Sequence, residues 1–284
     1  MTVTPDPGSD AYEKPVKIIA FLYGAATYAA VWGILIYIVG FVGNFFTPFL
    51  NTPVAQVIPL KSIDMGVAEP FWRALAIDLG LLLVLALQHS IMARPFFKDR
   101  WTKIVPKHLE RSTYVLFAIA ALSFLIWQWR PIPTVIWDVD HPVIRIVLSA
   151  ISVGGWLLVL VATFQVGHWK IFGVTQVMDR IQDRPYTLKP HETPDRVFYE
   201  VSWPIAYKGV WHFARHPDFF GFCVAFWVTP TMTAGHLVFA IGLTIYIMFG
   251  IFFLERNLKK LYGKPYIDYV ESRSKIIPWL TRKA

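Results

Sequence analysis

Five long apolar stretches punctuate the chain, at residues 18–42, 71–93, 112–129, 143–166 and 219–254, with polar and proline-bearing segments between them. A helix that crosses a bilayer needs roughly 20 apolar residues, and each stretch is about that long or longer. The last is too long for one crossing and is broken near its middle by Pro230 and Gly235, so it reads as two helices joined by a tight turn. The pattern predicts an all-α integral membrane protein of about six transmembrane segments, the last two a helical hairpin.

Loop charge sets the expected direction, because Lys and Arg stay on the cytoplasmic side. Between the second and third stretches stand Arg94, Lys98, Arg100, Lys103, Lys107 and Arg111, whereas Lys61 is alone between the first and second. Residues 167–217 and the tail from 255 are also rich in Lys and Arg, while the connections at 131–142 and 231–236 have none. An even number of crossings with both termini in the cytoplasm satisfies every loop. Trp127, Trp129 and Trp137 near an outer connection suit an interfacial aromatic belt.

Composition agrees with a membrane setting. Hydrophobic residues make up 55% and charged residues 16%, against about a quarter charged in soluble domains, and mean hydropathy is +0.47. The net charge of +8 therefore reads as topology and contact with anionic lipid, not as nucleic-acid binding. The single Cys223 excludes an intrachain disulfide and a Cys-rich metal cluster. Residues 2–17 form a short polar tail without the basic start of a signal peptide. With no internal repeat and no Gly-rich linker, a single domain is expected: four spans over 18–166, a cytoplasmic loop over 167–217, the hairpin over 218–254 and a cytoplasmic tail over 255–284. Loop and tail together form a cap, in which 180–198 reads as loop and 255–269 as helix. No obligate protein partner is evident.

Ionisable groups beside hydrocarbon are costly and usually face a cavity. Arg215-His216-Pro217 opens the last apolar stretch and Glu255 closes it. With a turn centred near Gly235, His216 and Glu255 lie nearly equidistant from it, so Arg215, His216 and Glu255 are expected to meet at the cytoplasmic surface. Pro217 suits the first turn of a helix, whose free N–H groups can receive an anion. The alternative is a set of positive-inside anchors and a solvated acid. Asp78 and His89, eleven residues apart, share a face of the second segment. An inter-helix hydrogen bond is the favoured role for Asp78, and a site role for His89. His168 either lines the pocket or sits at the interface. His212 and His216 have the i,i+4 spacing of two metal ligands, but the other histidines are scattered and Pro217 disfavours a helix running through His216, so no metal is expected.

The segment from Gly209 through Arg215-His216-Pro217 to Gly221, then the apolar hairpin, then Glu255, Leu258, Tyr262-Gly263, Tyr266 and Tyr269, resembles the C-terminal signature of the integral-membrane methyltransferases typified by isoprenylcysteine carboxyl methyltransferase. The resemblance implies a multi-span helical fold that binds S-adenosyl-L-methionine in a cytoplasmic pocket, with Tyr207, Trp211, Arg215, His216 and Glu255 at the cofactor. One departure is Leu254, where members of that family commonly carry a first Glu. Further strings, Gln88 to Pro95, Glu110 to Leu116, Trp127 to Pro131 and Gly167 to Gly173, look like the bacterial methanethiol S-methyltransferases, which form dimethyl sulfide. That resemblance implies a bacterial inner-membrane enzyme with a small thiol as substrate and membrane lipid around it, and His89, His168 and His216 as candidate catalytic residues. Methylation of an isoprenyl or lipid-like acceptor and a non-enzymatic accessory role in nitrogen-oxide metabolism remain the alternatives; a transporter is disfavoured because paired, interrupted midplane helices are missing from the pattern.

Overall fold

The computed structural model describes residues 7–67, 69–184 and 209–277. Five helices among these are long and apolar enough to cross a membrane. In chain order the helices are α1 (Pro7–Val42), α2 (Pro53–Val57), α3 (Phe71–Ile91), α4 (Pro95–Trp101), α5 (Lys107–Gln128), α6 (Pro142–Val166), α7 (His168–Ile171), α8 (Val174–Ile181), α9 (Pro217–Trp227), α10 (Ala234–Tyr262) and α11 (Lys264–Ser272). Two short strands, β1 (Val135–Asp138) and β2 (Thr231–Thr233), pair antiparallel. The long helices are α1, α3, α5, α6 and α10. α1 packs on α5, α5 on α3, α3 on α10, and α9 lies between α10 and α6.

Several boundaries differ from the hydropathy pattern for identifiable reasons. α1 starts inside the expected polar tail, because its charged first turns have partners: Lys17 Nζ lies 2.5 Å from Asp183 and Glu13 lies 3.3 Å from Arg180, which tie α1 to α8. α5 begins at Lys107, with buried Glu110 3.5 Å from Lys98 of α4. The stretch at 219–254 does divide near Pro230, but its first helix has 11 residues, about 16 Å of rise against a hydrocarbon core of about 30 Å. The next residues lead into β2, which bonds to β1 where a tight turn was expected. α10 then runs unbroken past Glu255 to Tyr262, and Gly263, at φ +60, lets the chain turn into α11. Of the expected tryptophan belt, Trp127 is exposed, but Trp129 is 1% exposed and packs edge-on against Phe239 in the core. The expected loop at 180–198 falls mainly outside the described residues.

Several polar groups at the β-strand end of the bundle bond to one another. Asp64 accepts from Asn44 at 2.6 Å and from Thr233 at 2.5 Å, and Ser62 donates to Asn44. Asp78, fully buried, accepts the Arg130 backbone N–H at 2.9 Å and so joins α3 to the turn after α5. The sequence suggested an inter-helix hydrogen bond for it; its partner is instead backbone just beyond the end of α5.

The closest helix contact is between α6 and α9. A Cβ added at Gly155 would lie 2.6 Å from the Gly221 carbonyl oxygen, and one at Gly221 would lie 2.6 Å from that of Gly155. Small residues permit such approach between apolar helices, and here the obstacle is backbone that cannot rotate away. Gly155→Ala and Gly221→Ala should each destabilise the protein by about 1–3 kcal/mol, as overpacking does. Gly154→Ala, where nothing lies within 4 Å, should leave the thermal unfolding midpoint in detergent unchanged. Equal midpoints for all three variants would show that this contact does not set the α6–α9 spacing.

Candidate functional site

The Arg215-His216-Pro217 segment has its position set by the backbone on both sides. Pro217 starts α9, and the N–H groups of Arg215 and His216 donate to the carbonyls of Ser274 and Lys275 at 3.0 and 3.1 Å. The chain after α11 is therefore pinned alongside the motif. Tyr266 and Tyr269 of α11 pack against Leu254 and Leu258 of α10, and the Tyr269 hydroxyl donates to the Trp211 carbonyl at 3.1 Å.

Arg215, His216 and Glu255 do meet. Glu255 Oε1 lies 3.0 Å from His216 Nε2 and 2.9 Å from Arg215 Nε, the latter an ion-pair contact outside hydrogen-bond alignment. Arg215 Nη1 also donates to the carbonyls of Val270 at 2.5 Å and Arg273 at 3.1 Å. Arg215 is 7% exposed and His216 is 3% exposed. The triad is thus a buried charge pair with an imidazole on the same oxygen, and it fastens α10, α9 and the segment after α11 together.

Beside it opens a cavity of about 770 Å³, within the range of ligand pockets. Trp211, Arg215 and His216 line it, as do His89 and His168. Glu255 is not among the lining residues; Leu254 is. Glu255 therefore stands behind Arg215 and His216. Trp211 is held by its indole N–H, which donates to the Ala162 carbonyl at 3.3 Å. Tyr207 lies outside the described residues.

The two further histidines differ. His89, near the end of α3, is accessible from the cavity and sits with its ring 5.3 Å from Tyr114 and 6.3 Å from Tyr246. His168 is 1% exposed, stacks on Phe164 at 4.0 Å, and has both nitrogens in contact with hydroxyls: Nε2 with Tyr28 at 3.0 Å and Nδ1 with Thr163 at 3.3 Å. Burial holds its imidazole below the ordinary range, so it stays neutral in this aromatic cage and shapes the wall. The i,i+4 histidines do not share a helix face, because His212 ends an exposed turn and His216 is buried ahead of α9. No group of metal-ligating side chains occurs among the described residues.

Residues that the sequence left unremarked also face this space. Asp218, in the first turn of α9, lines the cavity, and its Oδ1 is buried with no hydrogen-bond partner among the described residues. Arg111 and Tyr246 line it as well. The RHP motif directed notice to three residues, whereas Asp218, one position beyond Pro217, carried an available signal: an acid in the first turn of an otherwise apolar helix.

Removing one partner of a buried pair leaves the other charge uncompensated and typically destabilises by about 3–5 kcal/mol. Glu255→Ala and Arg215→Ala should each do so. The double variant should lose less than the sum, since only pairs in contact couple. Denaturant unfolding of the four proteins measures the coupling, and strict additivity would contradict the contact.

No family model matches the chain, and no solved structure matches it. Curated proteins do. The chain is 43% identical over 263 residues to methanethiol S-methyltransferase 1 of Bradyrhizobium diazoefficiens, covering 93% of this chain and 83% of that protein. It is 41% identical over 263 residues to methanethiol S-methyltransferase of Mycobacterium tuberculosis, covering 93% and 97%. With that of Crocosphaera subtropica it shares 38% over 268 residues, covering 94% and 95%. At this identity over nearly the full length of both partners, the chain belongs to the methanethiol S-methyltransferase family.

Proposed function

We propose that this membrane enzyme methylates methanethiol to dimethyl sulfide, with S-adenosyl-L-methionine as methyl donor, in the cavity lined by Arg215, His216 and His89. Family membership supports the reaction. The observation that carries the donor is one oxygen of Asp218: Oδ1 is buried without a hydrogen-bond partner among the described residues, in a side chain that lines a cavity walled by aromatic rings. An unsatisfied buried polar atom is expensive, and an ammonium or ribose hydroxyl is the kind of group that satisfies it.

The residues fit such a donor by their chemistry. Asp218 would accept from its ammonium or ribose. The rings of Trp211, Tyr266 and Tyr269 offer faces for adenine, and aromatic faces also attract a cationic centre such as a sulfonium. Burial keeps Tyr266 a neutral phenol, with Glu255 nearby adding to the effect. Bound there, S-adenosyl-L-methionine supplies an electrophilic methyl group. Arg215 and His216, held by Glu255, keep the wall in register, so Glu255 acts through them. His89 meets the thiol, and the surrounding apolar wall excludes water. Holding nucleophile and methyl in line can remove about 7–11 kcal/mol of barrier.

In the bilayer, α9 together with its extended continuation to β2 makes the sixth crossing of a single domain. Four spans at 18–166, a loop at 167–217, the hairpin at 218–254 and the tail at 255–284 give a bacterial inner-membrane protein with both termini and the site in the cytoplasm. Loop charge supports this orientation. Tags at either terminus and near Lys103 should be accessible from the cytoplasm, and a tag at Lys61 from outside. Labelling of the C-terminus and Lys61 from the same side would contradict the sixth crossing.

Purified protein given labelled donor and methanethiol should release labelled dimethyl sulfide, read in the headspace, in preference to methylating long-chain thiols or prenylcysteine. Methylation of prenylcysteine with no dimethyl sulfide would overturn the acceptor. Asp218→Asn should weaken donor affinity about 10- to 100-fold, the range of a lost hydrogen bond to a charged group, while His89→Ala should depress turnover more than donor affinity. Unchanged donor affinity in Asp218→Asn would move the donor elsewhere.

A further inference from the structure

We propose that Arg111 holds the acceptor as its thiolate, in a subsite shared with His89 against the Tyr114 ring. The inference rests on the methanethiol reading above and deepens it by naming the charge that makes a weakly acidic thiol reactive. In the sequence Arg111 is one of six basic residues in a cytoplasmic loop. In the structure it lies inside α5, four residues past its start, and lines the cavity. Its guanidinium carbon is 4.8 Å from the centre of the Tyr114 ring, and its Nε donates to the Ile171 carbonyl at 2.6 Å.

Tyr114 links this cation to His89. It is 2% exposed, its ring is 5.3 Å from the imidazole, and its hydroxyl donates to the His89 carbonyl at 3.2 Å. A rigid, buried ring thus carries a cation and an imidazole as neighbours, and both reach the same cavity. The other arginine lining this space, Arg215, is fixed by Glu255 at its Nε and by two carbonyls at its Nη1, and so holds the wall near Asp218 in place.

The chemistry calls for such a group. A thiolate is the nucleophile, and even a free Cys thiol, with a pKa of about 8.5, is only a few per cent ionised at neutral pH; a simple alkanethiol is a weaker acid still. A neighbouring cation lowers that pKa. On binding, the methanethiol S–H bond breaks, the proton passes to water, and the electron pair stays on sulfur beside Arg111 and the neutral His89 imidazole. That pair then forms the new carbon–sulfur bond while the methyl–sulfonium bond breaks and its pair remains on the donor sulfur. Among the described residues, the charged and titratable groups on surrounding elements are Arg94 between α3 and α4, Lys107, His108 and Glu110 on α5, the last paired with Lys98 of α4, and His168 and Lys170 on α7. Asp179 and Arg180 stand on α8, Tyr246 on α10, and Tyr28 of α1 is bonded to His168.

The test compares full-length wild type, Arg111→Gln and Arg111→Lys for kcat/KM with methanethiol from about pH 6 to 10, for affinity for S-adenosylhomocysteine, and for calorimetric binding of methanethiol to the donor-free protein over the same range. Arg111→Gln should lower kcat/KM at pH 7 about 10- to 100-fold and move the rise of rate and of thiol binding to higher pH, so that the gap to wild type narrows as pH increases. Arg111→Lys should recover to within about tenfold of wild type, because it keeps the charge without the planar fork. S-adenosylhomocysteine affinity should be unchanged in both. A wild-type pH profile in Arg111→Gln, or an equal loss of S-adenosylhomocysteine affinity, overturns the proposal. Failure of wild type itself to form dimethyl sulfide overturns the methanethiol reading, and the binding arm then decides for Arg111 alone.

Discussion

One carboxylate oxygen, Glu255 Oε1, takes both Arg215 Nε and His216 Nε2, and the geometry of the site depends on that shared contact. α10 delivers Glu255, the residues ahead of α9 deliver Arg215 and His216, and Arg215 then reaches on to the carbonyls of Val270 and Arg273. Three separate pieces of chain are therefore fixed by one ion pair in a place where an unpaired charge is strongly unfavourable. Because Glu255 is absent from the cavity lining while Arg215 and His216 are present, its work is done through them.

The helix that carries this motif is short, and its neighbours allow it to be. Eleven residues of α9 cannot span the apolar layer alone. The mutual approach of Gly155 and Gly221 packs it closely on α6, and β2 completes its backbone bonding on β1. That pairing leaves the strand backbone bonded, and the cavity opens beside α9, with Arg215, His216 and Asp218 on its wall together with Arg111, Tyr114 and His89.

Much of this was legible in the amino-acid sequence. The long helices follow from apolar runs, and the meeting of His216 with Glu255 follows from their near-equal distance from Gly235, even though the two arms of the hairpin turned out to be built differently. Hydropathy alone could not show that Pro230 is followed by a strand pairing with residues almost a hundred positions earlier, because that depends on a distant partner. It also assigned Arg111 to a loop, since a charge cluster next to an apolar run looks the same whether the helix starts before or after it. Trp129 was misplaced for a similar reason: an aromatic at a helix end can face lipid or turn inward, and here Phe239 receives it. His168 lines the cavity, one of the two positions the sequence left open for it, but its engagement by Tyr28 and Thr163 is a tertiary fact.

The central claim is that donor and acceptor share this one cavity, with the donor at the Asp218 end. The most direct measurement is an experimental structure of the protein with S-adenosylhomocysteine bound. The account predicts density for the amino-acid moiety at Asp218, the adenosine against Trp211, Tyr266 and Tyr269, and the thioether sulfur turned toward His89 and Arg111. Density for the ligand outside this cavity, or with its sulfur turned away from His89, would contradict it.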